Sequence, residues 1–206
     1  MSIEVVLFDA DGVIQYAPED WFHAFARVLA CGNPELEQRF TKDIYAAETA
    51  CLTRSDGFDE ALHGVLKIWD RVEHKPSILQ AMLSICPHGE VLETIKAIRA
   101  SGTRCYIASN QQMQRANFMS TGLGYASMFD GELYSCTLGA AKPSELYFEL
   151  ALKAVGTDAG STLFIDDRPE NVEGARRAGL KAFLYDGRSG AAVLKSHLRN
   201  FGILKS

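Results

Sequence analysis

Cysteine is sparse and unpatterned in this 206-residue chain: Cys31, Cys51, Cys86, Cys105 and Cys136 are odd in number and include no CxxC pair. A disulfide framework is therefore not expected, because a chain of this size can build a core without staples. No apolar run approaches the ~20 residues of a membrane span, and the opening Met-Ser-Ile-Glu-Val-Val-Leu carries no basic region ahead of an apolar one. These features predict a protein of the reducing cytoplasm with no membrane partner. Basic residues are the minority, 21 Lys and Arg against 26 Asp and Glu for a net charge of -5, so no chain-wide positive field exists to hold nucleic acid. Gly/Ser linkers, low-complexity tracts and internal repeats are missing as well. What remains is ordinary globular usage, 47% apolar with 11 Phe, 7 Tyr and 2 Trp, enough for one domain with a large insertion or for two small ones.

Short apolar runs alternate with longer helical periodicities, the pattern of a doubly wound α/β fold with a parallel sheet. Residues 5–8, 104–108, 132–135, 163–165 and 182–185 read as strands, each apolar or β-branched and bounded by polar residues or glycine. Residues 91–100 and 145–155 read as amphipathic helices stopped by Gly102 and Gly156. Between residues 16 and 86 the pattern is helical throughout, at 21–30, 35–50, 58–69 and 77–83. This predicts an all-helical insertion at 16–86 within a core of 1–15 and 87–206, with the two ends of the insertion close together in space.

Four features fall at or just beyond the C-terminal ends of predicted strands, where an open parallel sheet binds its ligands. They are Asp9-Ala10-Asp11-Gly12, Ser109-Asn110, Lys142-Pro143 and Asp166-Asp167-Arg168-Pro169-Glu170-Asn171. Singly, each has a plain structural reading: a turn, a helix cap, a solvated lysine, an acidic loop. Together, several carboxylates at one sheet edge would repel one another unless a cation shared them, and hard oxygen ligands point to Mg²⁺. A hydroxyl and an ammonium group beside them would supply donors to the oxygens of a phosphoryl group in transfer.

In this order, DADGV, Ser109-Asn110, Lys142-Pro143 and IDDRPEN, with a helical segment after the first of them, the sequence resembles the haloacid dehalogenase superfamily in its phosphatase branch. The resemblance spans essentially the whole chain. It implies a Rossmann-like core with a C1-type helical cap at 16–86. It also implies that Asp9 attacks phosphorus to form an aspartyl-phosphate, and that Asp11 protonates the leaving oxygen and later activates water. The same resemblance gives Mg²⁺ to Asp9, the Asp11 carbonyl and Asp167, with Asp166 acting through a water. Ser109, Asn110 and Lys142 contact the substrate, a small phosphorylated metabolite such as a sugar phosphate. Arg168 departs from the small residue common at its position, and a pairing of its guanidinium with Asp167 is one expected consequence.

Within the family, a haloacid dehalogenase needs no acid for its halide, so Asp11 argues against it; a phosphoglucomutase keeps both aspartates and stays open. From other classes, a phospho-accepting receiver would place its acidic pair ahead of the hydroxyl and lysine, which is not the order here, and a non-catalytic binding module is always compatible with a fold. Gly122-Leu123-Gly124 lacks the context of a dinucleotide fingerprint and reads as a helix end and turn. The five histidines show no ligand spacing, and Arg176-Arg177 reads as a solvated helix face.

Overall fold

The computed structural model describes residues 2–204; Met1, Lys205 and Ser206, within the expected core boundaries, lie outside the described residues. Val-Val-Leu-Phe forms β1 (Val5–Phe8), with all four side chains buried. A two-residue strand β2 (Gln15–Tyr16) leads into α1 (Trp21–Leu29), α2 (Pro34–Thr49), α3 (Phe58–Ile68) and α4 (Lys75–Leu83). The chain returns through β3 (Cys86–Pro87) to α5 (Gly89–Ala100), β4 (Arg104–Ser109) and α6 (Met113–Asn117). After a π-helical turn at Phe118–Gly122 come α7 (Tyr125–Met128), β5 (Gly131–Tyr134), α8 (Ser135–Leu138) and α9 (Glu145–Val155). The last elements are β6 (Thr162–Asp166), α10 (Pro169–Arg177), β7 (Lys181–Leu184) and α11 (Ala191–Asn200).

Five strands pair in parallel in the order β5-β4-β1-β6-β7. Strand pleat divides the core between the two faces. Val6 and Phe8 of β1 pack with Val91, Ile95 and Ile98 of α5 and Leu194 and Leu198 of α11, while Val5 and Leu7 pack with Tyr147 and Phe148 of α9 and Val172 and Ala175 of α10. A strand buried on both faces reads as a continuous apolar run, which is why β1 carries no alternation.

Helices α1 to α4 enclose an apolar cluster of their own around Phe25, Phe40, Ile44, Leu62 and Ile78. Asp20 starts α1 by accepting the Phe22 N–H at 2.7 Å, and Asn33 caps α2 at Glu35 and Leu36 with Pro34 in the first turn. The ends of this segment meet: β2 and β3 pair antiparallel, and the His88 N–H donates to the Ile14 carbonyl at 2.8 Å.

Three differences from the sequence reading have physical reasons. The expected all-helical stretch is flanked by the β2–β3 ribbon, which includes Tyr16 and Cys86, because two-residue strands carry no periodicity to read. Strands β4 and β6 run one residue further than expected, because Ser109 and Asp166 still pair with Tyr134 and Leu184. The 132–135 strand shifts to Gly131–Tyr134, and Ser135 opens α8 instead.

Candidate active site

Strand register places the site. Phe8 lies opposite Ile107 on one side and Ile165 on the other, so Asp9 emerges between the ends of β4 and β6. Its own N–H donates to the Ile165 carbonyl at 2.8 Å, extending the ladder by one bond. The chain then turns sharply: the N–H groups of Val13, Ile14 and Gln15 all donate to the Ala10 carbonyl, and Gly12 adopts φ +88°. A Cβ on Gly12 would lie 2.2 Å from Asp167 Oδ2, so this glycine supplies both the left-handed backbone and the room for Asp167.

Lys142 arrives on the loop between α8 and α9 and is buried. Its Nζ donates to Asp9 Oδ1 at 2.7 Å and to Asp166 Oδ2 at 2.6 Å. Asn110 pins this loop, donating through Nδ2 to the Lys142 carbonyl and accepting the Lys142 N–H on Oδ1, both at 2.9 Å. Asn110, expected to contact substrate, therefore has its side-chain amide committed to holding Lys142. The loop also sits tightly on α10, where a Cβ on Gly174 would come within 2.5 Å of the Pro143 carbonyl oxygen.

Asp166 is fully buried and saturated by donors: besides Lys142 it accepts the Arg168 N–H at 2.8 Å and Asn171 Nδ2 at 3.0 and 3.1 Å. Asp167 differs, because its Oδ1 is buried without a hydrogen-bond partner. No ion pair joins it to Arg168 among the described residues, contrary to the expected guanidinium pairing; the Arg168 side chain belongs to an exposed residue. Carboxylate oxygens of Asp9, Asp166 and Asp167 lie within 4.8 Å of one another. Burial pushes the Asp9 carboxyl up to about 7, with the Asp166 and Asp11 charges adding to the rise and Lys142 opposing it. Burial and Asp166 likewise raise Asp167. Burial works against the Lys142 ammonium, yet the two carboxylates outweigh it and lift its pKa. A hard divalent cation fits this cluster: the donors are all oxygens, one is orphaned, and the negative charge exceeds what Lys142 offsets.

The Asp11 carboxylate does not join that cluster. It turns to Arg115, whose Nη2 donates to both of its oxygens at 2.7 and 2.8 Å, and accepts further bonds from Gln15 Nε2 at 2.9 Å and Gln111 Nε2 at 2.7 Å. Loss of solvent in the cleft pushes the Asp11 pKa up, but the Arg115 charge and these bonds outweigh it and hold it below the usual carboxylate value. Arg115 is itself buried; its Nε donates to Gln111 Oε1 at 2.7 Å, its Nη1 to the Met82 carbonyl of α4, and its guanidinium lies 4.9 Å from the Trp21 ring centroid. Ser109 is buried at the end of β4, where its Oγ accepts from Gln111 Nε2 at 3.2 Å.

These groups line one cleft of about 730 Å³. Asp9, Asp11, Ser109, Asn110, Lys142 and Asp167 form its floor, and Asp20, Trp21, Tyr45, Glu48, Thr49 and Leu52 from the helical segment form the opposite wall. Asp166 lies beneath, in contact through Lys142. Gln15, Gln111, Arg115 and Glu48 were not singled out from sequence. The one available signal was Gln111 and Arg115 four residues apart just past a strand-end Ser-Asn; Gln111 lies ahead of α6 and Arg115 within it, and their side chains bond.

The chain matches the family model of the haloacid dehalogenase-like hydrolases over residues 3–179. It is 28% identical over 201 residues to a phosphatase of Mycobacterium tuberculosis, covering 92% of this chain and 90% of that one. It is 23% identical over 187 residues to the phosphoglycolate phosphatase of Aquifex aeolicus, covering 88% and 84%. In three dimensions it is similar to a haloacid dehalogenase family enzyme of Bacteroides thetaiotaomicron in complex with magnesium and inorganic phosphate. The TM-score is 0.75 at 19% identity, over 94% of this chain and 99% of that one.

Proposed function

The chain belongs to the haloacid dehalogenase-like hydrolases, and from that premise we propose that it hydrolyses phosphomonoesters of small metabolites, sugar phosphates among them, through a covalent intermediate on Asp9. The observation that carries this reading is the buried Lys142 Nζ held between Asp9 and Asp166, with the Asp11 carboxylate at the same strand end. The phosphatases among its relatives support it. In this reading residues 1–15 and 87–206 form the core and 16–86 the cap. Five free thiols support a cytoplasmic enzyme.

Asp9 attacks phosphorus, forming an acyl-phosphate bond as the P–O bond to the alcohol breaks. Lys142 fixes the rotamer of Asp9, and with Ser109 it faces the phosphoryl oxygens and lowers the repulsion between anionic nucleophile and anionic ester. Asp11 gives its proton to the departing alkoxide, then takes one from the water that attacks the aspartyl-phosphate and frees inorganic phosphate. At rest, Arg115 and the two glutamines hold Asp11 as a carboxylate, the form that accepts the proton of water. Donation requires Asp11 first to leave the Arg115 fork and take up a proton from solvent as the ester binds, and it is this proton that passes to the alkoxide. Mg²⁺ would be held by Asp9, the Asp11 carbonyl and Asp167, near Asp166, and would neutralise charge on the phosphoryl group.

The test is the leaving group. An alkyl alkoxide must be protonated as it departs, whereas nitrophenolate leaves largely unaided. In single-turnover experiments Asp11→Asn is expected to slow phospho-enzyme formation from alkyl phosphates about 100-fold more than from 4-nitrophenyl phosphate. Asp9→Asn is expected to form no phospho-enzyme from either. Equal slowing of both substrates in Asp11→Asn would remove Asp11 from proton transfer.

A further inference from the structure

Resting on the phosphatase reading, we propose that Glu48 is a specificity-determining residue: it selects phosphate esters of uncharged, hydroxyl-rich alcohols and rejects those whose alcohol carries a carboxylate.

The argument is an account of charge around the cleft. A substrate anchored by its phosphoryl group at Asp9 and Lys142 projects its alcohol past Asp11 toward the wall built by α1 and α2. That wall offers no lysine or arginine to the cleft; its charged residues there are Asp20 and Glu48. Asp20 is occupied as the cap of α1. The Glu48 carboxylate has no hydrogen bond or ion pair among the described residues. Glu48 lines the same cleft as Asp11 and Arg115, and burial pushes its carboxyl up to about 7, so its charge is complete only above neutral pH, where the comparison below is made.

The cations on the other side are engaged. Arg115 is forked onto Asp11, Lys142 bridges Asp9 and Asp166, and Arg188 grips Asp186 at the rim with its Nη2 and Nε. Arg168, which follows Asp167 on the core side, is the remaining guanidinium of the lining, and its side chain has no ion pair among the described residues. A carboxylate on the alcohol would thus face the like charge of Glu48, with Arg168 as the one arginine or lysine of the lining not already held in an ion pair. A polyol meets a different surface. Glu48 accepts its hydroxyls, and the aromatic rings of Trp21 and Tyr45 line the same wall.

The matched pair glycerol 3-phosphate and 3-phosphoglycerate, which differ by hydroxymethyl against carboxylate, isolates this effect. Wild-type kcat/KM is expected to favour glycerol 3-phosphate by about tenfold or more. That ratio is expected to fall about tenfold in Glu48→Gln, which removes the charge at constant size, and to invert in Glu48→Arg. A ratio of rates on one preparation does not depend on the folded fraction, so a poorly folding variant still reports. Wild-type preference for the acid, or a ratio unmoved in both variants, would overturn the assignment. So would a ratio set by Arg168, seen as its loss in Arg168→Ala. Failure of the underlying reading has a separate signature: wild type with Mg²⁺ would then turn over neither 4-nitrophenyl phosphate nor any member of the series.

Discussion

At the scale of single residues, the site depends on one position with no functional group. Gly12 combines φ +88° with a Cβ direction that ends 2.2 Å from Asp167 Oδ2. Gly12→Ala is expected to add about 1–2 kcal/mol of backbone strain and, more consequentially, to drive Asp167 out of the carboxylate cluster. The expected outcome is Mg²⁺ affinity about tenfold weaker by calorimetry, with an unchanged circular dichroism spectrum, because second-order loss of ligand geometry costs affinity before it costs the fold. Unaltered Mg²⁺ affinity would show that Asp167 does not bind the ion. Asp9, Asp166 and Asp167 were legible in the sequence because they sit at strand ends, where position along the chain is also position in space. Arg115 and Glu48 were not. Arg115 matters because its guanidinium reaches Asp11 and the Met82 carbonyl across the cleft, and Glu48 because α2 is folded over it, relations that no local pattern encodes.

At the scale of elements, β1, β4 and β6 announce themselves through buried apolar runs, and α9 through its period and its glycine stop. What tethers α5 to the sheet is less visible. Arg99 in the last turn of α5 forks onto Asp130 at 3.0 and 2.8 Å, and Asp130 also accepts the Cys105 N–H of β4 at 2.7 Å. Partial burial would raise the Asp130 pKa, but the bonds from Arg99 and the Cys105 N–H, with the Arg99 and Arg104 charges, outweigh it and leave the pKa depressed. A depressed carboxylate pKa adds stability above its unfolded value, about 4, and loses it as pH falls through the folded value. Asp130→Asn is therefore expected to cost about 1–3 kcal/mol at pH 7 in urea unfolding, and the difference from wild type should shrink as the pH approaches 2. A cost that stays constant with pH would assign the effect to packing rather than charge.

At the scale of the whole molecule, the two apolar clusters of the core and the helical segment are joined by a two-residue ribbon and by Arg115, and the cleft between them concentrates negative charge. Asp9, Asp166 and Asp167 oxygens within 4.8 Å share one buried ammonium, so the folded chain carries a repulsion that the unfolded chain does not. An ion that binds this cluster and not the unfolded chain must stabilise the fold by linkage, by about 2.7 kcal/mol at a hundredfold excess over Kd. For a chain of this size that corresponds to a rise in Tm of about 5–10 °C. Thermal melts with and without Mg²⁺ are expected to show that rise in wild type and to lose most of it in Asp167→Asn, which removes a ligand charge. Asp167→Asn also relieves part of the repulsion, so its metal-free Tm is expected to equal or exceed that of wild type. A variant on the cap wall separates metal binding from general electrostatics: Glu48→Gln lowers the negative charge of that wall without touching the cluster, and its Mg²⁺-dependent rise should match wild type. A rise lost equally in Glu48→Gln and Asp167→Asn would mean that the ion answers to the field of the whole cleft and has no fixed seat among the three strand-end carboxylates.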